Sequence, residues 1–501
     1  MTQAWSSGYV ADIAYIEGFY IQQSPVRMAL ACLLGGVAAE MPAPDDEACY
    51  LELGCGIGVG ALLLAASNPA WKVIAVDYNP AHIAMANSLA RAARVDNIQF
   101  LEADIVELAN GAAGAVIPAV DFVSMHGLWS WVSPEVRAAI VRLLAAKTKP
   151  GALVHLSYNA LPSWQGGIGL QRLIYETGRR SGGRSDAQAE AGLALAKDLR
   201  AAEARHLGEG EISRDLIDSI QSASKEYLAH EYMNAHWAPA FHADVAAAMS
   251  GAKLDWVAAA NPLENFPELT LKPEQRAIMD RFTDPMMREL VKDMCLQRPL
   301  RHDVYVRGAR RLRNADRDAA LERLTITPVI TPDQLQTTLT VPAGTAEMSP
   351  ALKTLMAAAM RGPTTIAALR ALDPTHSNPA ELASVLVGTQ QCQVAPYLGV
   401  GQPDGANRLN RVLGDRIKSI VEGRASGLAC AQLSTGLTVE PLLQFITARM
   451  LAGESPANAP SWIETLSADV LPDKVDKLRE VVQLAIERRI PVLRQLQIIP
   501  G

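Results

Sequence analysis

The stretch Tyr50–Asp77, YLELGCGIGVGALLLAASNPAWKVIAVD, constrains the fold of this chain more than any other. It predicts an apolar strand, a turn carrying Gly54, Gly56 and Gly58, an Ala/Leu-rich helix, and a second strand, Lys72–Val76, that stops on Asp77. That order is one βαβ unit. Glycines let the backbone turn tightly and let a ligand approach it, and an acid at the end of the second strand can accept hydrogen bonds from both hydroxyls of a ribose. A nucleotide-like ligand is therefore expected, although Gly56-x-Gly58-x-x-Ala61 by itself also satisfies a dinucleotide pattern.

Two further features narrow the choice. Glu52 precedes the first glycine by two positions, giving ExGxGxG, and a third strand, Ile98–Glu102, ends in Ala103-Asp104, where a carboxylate can receive an adenine amino group. An acid-first glycine loop with acids after the second and third strands resembles class I S-adenosylmethionine-dependent methyltransferases. The resemblance implies an α/β, Rossmann-like core of seven strands. It also implies S-adenosyl-L-methionine as methyl donor, S-adenosyl-L-homocysteine as product, and no metal.

At 501 residues the chain has room for about two to four domains. Its formal charge of -7 gives no general attraction to phosphate backbones or anionic lipid. Six cysteines are scattered without a CxxC pair, which points away from structural zinc and towards a reducing, cytoplasmic setting. The first basic side chain is Arg27 and the apolar run Ala29–Ala39 is too short to span a bilayer, so neither a signal peptide nor a membrane span is expected.

Taken in order, residues 1–44 form a leading segment with Tyr9, Tyr15, Phe19 and Tyr20, a helix from about Pro25, and a stiff Met41–Asp46 linker. Residues 45–165 and 247–312 form a discontinuous core, interrupted by a helical insertion at 166–246 suited to cap the substrate mouth. Strands are expected at Val120–Ser124, Ala152–Ser157, Lys253–Ala258 and His302–Arg307, the last two closing the sheet as an antiparallel hairpin. Seven arginines between 298 and 317 read as a solvated face rather than a nucleic-acid site, so nucleic acid is not an expected partner. Residues 313–501 change texture: three short helices beside a strand pair look winged-helix-like, and a long helix closes the chain at Pro472–Leu496. A regulatory or dimerising role, giving a homodimer, is expected of this part.

The phrases HGLWSWVS and SYNALPSW, with HEYMNAHWAPAFHADVA, AKLDWVAAANPLENFPELTL and HDVYVRGARRL, resemble bacterial methyltransferases that carry a regulatory domain, among them the rickettsial-type protein-lysine methyltransferases. That resemblance implies donor binding by Glu52, Gly54, Gly56, Gly58, Asp77, Tyr78, Asp104, Ile105, His126 and Gly127. It places Trp129, Trp131, Trp164, Tyr15 and Tyr20 on the acceptor side, with Tyr158, Asn159 and His126 at the chemistry. Three functions remain open on the sequence. Methylation of a lysine in a polypeptide leads, methylation of a small molecule at N or O follows, and a non-catalytic, cofactor-binding regulator comes third.

Overall fold

The computed structural model describes residues 8–13, 18–111, 116–208, 217–218, 225–373, 375, 378–417, 426–468 and 474–501. Tyr15 lies outside the described residues. A seven-stranded sheet runs in the order β3-β2-β1-β4-β5-β7-β6. Its strands are β1 (Cys49–Leu53), β2 (Lys72–Asp77), β3 (Ile98–Glu102), β4 (Val120–Met125), β5 (Thr148–Asn159), β6 (Leu254–Ala259) and β7 (Leu300–Arg307). Strands β1 to β5 are parallel, and β7 runs antiparallel to both β5 and β6. The central strand β1 is buried along its whole length, as an apolar run covered on both faces must be.

Helices α1 (Pro25–Leu34), α2 (Val59–Ser67), α3 (Pro80–Ala93), α4 (Ile105–Ala109) and α5 (Pro134–Lys147) cover the sheet. Three of them start on the same device, a polar cap followed by proline at the first helical position. The Ser24 side chain accepts the Arg27 N–H, Asn79 accepts that of Ala81, and Ser133 accepts that of Val136. Two apolar cores result, one on each face of the sheet, with Leu62, Val73 and Phe100 in the first and Leu51, Val123 and Leu156 in the second.

The helical insertion contains α6 (Ile168–Ser181) and α7 (Ser185–Ala201), packed closely enough that a Cβ on Gly192 would lie 2.5 Å from the Ile174 carbonyl oxygen. The leading residues Val10 and Ile13 join the core of this insertion rather than that of the sheet. Beyond β7 lie β8 (Thr325–Pro328), the hairpin β9 (Thr338–Val341) and β10 (Gly344–Glu347), then β11 (Thr364–Thr365), β12 (Cys392–Val394), and a second hairpin, β13 (Ser426–Cys430) and β14 (Thr435–Val439). The three expected helices are found at Pro350–Ala359, Ile366–Arg370 and Pro379–Gly388. The strands beside them, β11 and β12, both pair with the upstream β8 and not with each other. The closing helix is two helices, Val475–Arg488 and Ile490–Gln495, because Pro491 has no N–H to continue the first.

The arginine run is not one solvated face. Arg310, Arg311 and Arg313 are exposed, but Arg298 and Arg301 are buried, and Arg307 donates to the carbonyls of Ala145 (2.7 Å) and Thr148 (2.9 Å). Among the described residues no helix is long and apolar enough to cross a membrane.

Candidate active site

The chain leaves β1 through three glycines in the left-handed region, with φ of 74° at Gly54, 53° at Gly56 and 73° at Gly58. At Gly58 a side chain is excluded twice over, because an added Cβ would also lie 2.3 Å from the Phe100 ring. The loop is held open from β2. Asp77 Oδ2 accepts the Gly56 N–H (2.8 Å), while Oδ1 accepts the Asn79 N–H (2.9 Å) and meets His82 Nδ1 at 3.1 Å. A carboxylate offers about four lone-pair sites, so Asp77 keeps acceptor capacity for a hydroxyl in the cleft. After β3, Asp104 caps α4 by accepting the Val106 N–H at 2.7 Å.

A polar row crosses the middle of the sheet. Glu52 on β1 pairs in register with Ser124 on β4, and Ser124 with His155 on β5. Ser124 Oγ lies 3.1 Å from His155 Nδ1, and His155 Nε2 lies 3.1 Å from Nδ1 of His302 on β7. Gln23, just before α1, reaches over the row and donates to Glu52 Oε1 (3.0 Å) and Ser124 Oγ (3.1 Å). Burial pushes the Glu52 carboxyl up to about 7, and its Oε2 is buried with no partner among the described residues.

At the end of β4, His126 Nδ1 lies 3.1 Å from Ser157 Oγ, which also accepts the Gly127 N–H. The Tyr20 ring stacks on His126 at 3.8 Å, and the His302 ring lies beneath it at 5.4 Å. Burial drives both imidazoles towards the neutral form, His302 down to about 4 and His126 well below its ordinary value with His302 adding to the effect.

A cleft of about 1460 Å³, open to solvent, lies over the glycine loop and the ends of β2, β3 and β4. Gly54, Gly56, Asp77, Tyr78, Asp104, Ile105, His126 and Gly127 line it, together with Trp131. Glu52 and Gly58 stand behind the loop. Lining residues that the sequence reading did not single out include Leu128, Ser133, Glu135 and His236. Tyr9, one of the leading aromatics, also lines the cleft, whereas α6 and α7 of the expected cap do not.

The remaining aromatic expectations fare differently. Trp129 is buried in the sheet core with the Arg137 guanidinium over its ring, and it is not among the cleft lining. Trp164 is also buried, donating from Nε1 to the Pro299 carbonyl (3.0 Å) and meeting Trp237 edge to face. Tyr158 faces away from the cleft: its hydroxyl donates to Asp303 (2.7 Å) inside a sealed ion cluster. Asn159 points to the other face of β5, where Nδ2 donates to Glu231 Oε1 (3.2 Å). Burial raises the Glu231 carboxyl to about 7. Sequence reasoning missed Gln23, Ser124, His155 and His302. For Ser124, His155 and His302 the available signal was a polar residue set inside an otherwise apolar strand; Gln23, in the turn before α1, carried none.

The donor set suits S-adenosylmethionine. Glycine backbone lies on one side, acids stand after β2 and β3, and an orphaned carboxylate oxygen belongs to Glu52 at the loop's foot. Residues 51–151 match the family described as a methyltransferase domain, and residues 224–307 match one described as a predicted methyltransferase regulatory domain. The fold, cleft and domain match define a class I S-adenosylmethionine-dependent methyltransferase. It is one that carries a methyltransferase regulatory domain, and in this chain that matched segment supplies β6 and β7 of the sheet rather than residues beyond 313.

An uncharacterized protein of Synechocystis sp. is 27% identical across 99% of both chains. An uncharacterized protein of Rickettsia prowazekii is 30% identical over 25% of this chain and 47% of its own. Among solved structures, PKMT2 from Rickettsia typhi in complex with AdoHcy has a TM-score of 0.69 at 15% identity, covering 97% of this chain and 99% of that one. That last likeness is one of fold. Among the described residues no group of three or more His, Cys, Asp or Glu is placed to hold a metal ion.

Proposed function

We propose that the protein transfers a methyl group to an amine nitrogen, and that the amine is a lysine side chain of a polypeptide. The observation that carries the amine reading is the Tyr20–His126–His302 stack beside the cleft, whose imidazoles burial keeps neutral. An amine attacks only in its neutral form, and bringing a lysine from about 10.4 to near neutrality is worth about 4 kcal/mol. An apolar, aromatic wall with neutral acceptors disfavours the ammonium and offers an N–H a partner without adding positive charge. The fold shared with PKMT2 along almost the whole chain supports the polypeptide reading, as does a cleft whose rim is open to solvent.

In this proposal Asp77 receives the ribose hydroxyls, Asp104 and Ile105 border the adenine, and the Gly54–Gly58 loop with Glu52 holds the methionine end. When bound, the sulfonium supplies an electrophilic methyl group. His126 and Gly127 border the transfer path, and Tyr20 and Trp131 screen it from water. The acceptor nitrogen would first lose its ammonium proton to solvent water and would then form the new N–C bond as the S–C bond breaks, with the S–C electron pair staying on sulfur. Alignment of this kind can remove roughly 7–11 kcal/mol of barrier. Residues 45–165 with 247–312 act as the catalytic unit.

The test is incubation of protein and cell extract with methyl-labelled donor, separating acid-precipitable from soluble label. Base-stable label in protein that hydrolysis returns as methyllysine supports the proposal. Label confined to the soluble fraction assigns a small-molecule acceptor, and donor binding without transfer to either fraction assigns a regulator.

A further inference from the structure

We infer that Phe19 is a positioning residue through which the distant β13–β14 hairpin holds the leading segment 18–23 against the methyl-donor cleft; the inference rests on that cleft being the donor site. Gly427 of β13 and Gly436 of β14 share a face of the hairpin, because Gly436 pairs with Ala429, two residues from Gly427. The Phe19 ring lies on that face. An added Cβ would fall 2.9 Å from the ring at Gly436 and 3.1 Å at Gly427, and at Gly427 also 2.5 Å from Leu63 of α2. Phe19 is only 8% exposed, so both glycines are places where the ring itself takes the room a side chain would need.

The hairpin is in turn fixed to the end of α2, the helix that leaves the glycine loop. Ser67 Oγ donates to the Thr435 carbonyl (3.1 Å) and accepts the Cys430 N–H (3.0 Å), and Asn68 exchanges hydrogen bonds with Ser434. All four contacts are buried. The residues that follow Phe19 touch the site directly. Tyr20 stacks on His126, and Gln23 donates to Glu52 and to Ser124. Hairpin, ring and site residues therefore form one contiguous solid, in which the ring sets where Tyr20 and Gln23 can stand. This gives the C-terminal part a definite task in the donor site that its lack of chemical motifs conceals.

The full-length protein is compared as wild type, Phe19→Ala, Phe19→Leu, Gly436→Val, Tyr20→Ala, Gln23→Ala and Phe19→Ala/Gln23→Ala. S-adenosyl-L-homocysteine affinity is measured by calorimetry, and the His126 ring protons are followed by NMR in the protein alone. Phe19→Ala and Gly436→Val should each weaken binding about tenfold, with Phe19→Leu recovering most of it. In the Gln23→Ala background, Phe19→Ala should cost much less than it does alone. His126 resonances in Phe19→Ala should move towards their positions in Tyr20→Ala, a readout that needs no ligand. The inference is overturned if Phe19→Ala and Gly436→Val lower Tm while affinity and the His126 resonances stay at wild-type values. Unmoved His126 resonances overturn it even where wild type binds no S-adenosyl-L-homocysteine, a result that would separately overturn the donor-site reading.

Discussion

The donor cleft and the ion cluster behind β7 are built from the same kinds of residue on one sheet, and they differ in how completely their charges are answered. In the cleft, Asp77 takes two backbone N–H groups and a histidine, Asp104 takes one N–H, and both still face open space. In the cluster, Asp303 accepts from Arg301, Tyr158 and Trp256 and meets His242, while Arg301 also pairs with Asp293 and Glu289. Arg298 ties Asp293 and Glu289 to Glu264. Burial works to raise the Asp303 carboxyl, but Arg301 and His242 overcome it and hold the group well below the usual carboxylate range. Unspent acceptor capacity with access to solvent marks the working site. Saturated charge without access marks scaffold.

The sharpest way to break this comparison is to disturb the scaffold side. Arg301→Met removes the donors to Asp303, Asp293 and Glu289 and leaves buried carboxylates uncompensated, so stability should fall by roughly 3–5 kcal/mol in denaturant titration. A loss below about 1 kcal/mol would mean that the cluster is not the scaffold described. Next in size is the histidine row. His302 binds its proton near 4 in the folded chain and near 6.5 when unfolded, so its contribution is fully present above 6.5. As pH falls from 6.5 to 4 the unfolded state gains the proton first, and roughly 3 kcal/mol is lost. Glu52 and Glu231, raised to about 7, act in the opposite sense between pH 7 and about 4.5. The difference between wild type and His302→Gln isolates the histidine: the variant should lose less stability on acidification, and parallel curves would refute the assignment.

What could be read from the sequence depended on how far apart the partners stand in the chain. Glu52, the glycines, Asp77 and Asp104 are spaced by the βαβ repeat itself, so strand and turn signals sufficed to bring them together. The row Glu52–Ser124–His155–His302 exists only once the strands are ordered β1, β4, β5, β7, and a lone His or Ser within an apolar strand does not announce its neighbours. Phe19 is further from view still, since its partners lie some four hundred residues on, in a hairpin without a motif. The arginines misled because a run in sequence was taken for a face in space. The arginines on and just before β7, Arg298, Arg301 and Arg307, turn inward, whereas Arg310, Arg311 and Arg313, past the end of the strand, turn outward.

Tyr158 shows the same limit and yields the smallest effects, best judged against Asp77. Tyr158 and Asn159 are consecutive on β5, and side chains alternate between faces, so the two cannot look into one site. Asp77→Ala removes both the tether to Gly56 and the acceptor proposed to receive the ribose, and should weaken S-adenosyl-L-homocysteine binding at least tenfold, or about 1.4 kcal/mol. Tyr158→Phe removes one hydroxyl donor from Asp303, which keeps Arg301, Trp256 and His242 as partners. It should cost about 1 kcal/mol of stability and leave donor affinity and turnover within about twofold. A Tyr158→Phe enzyme with wild-type stability and strongly depressed turnover would return the tyrosine to the chemistry and erase the boundary drawn between cleft and cluster.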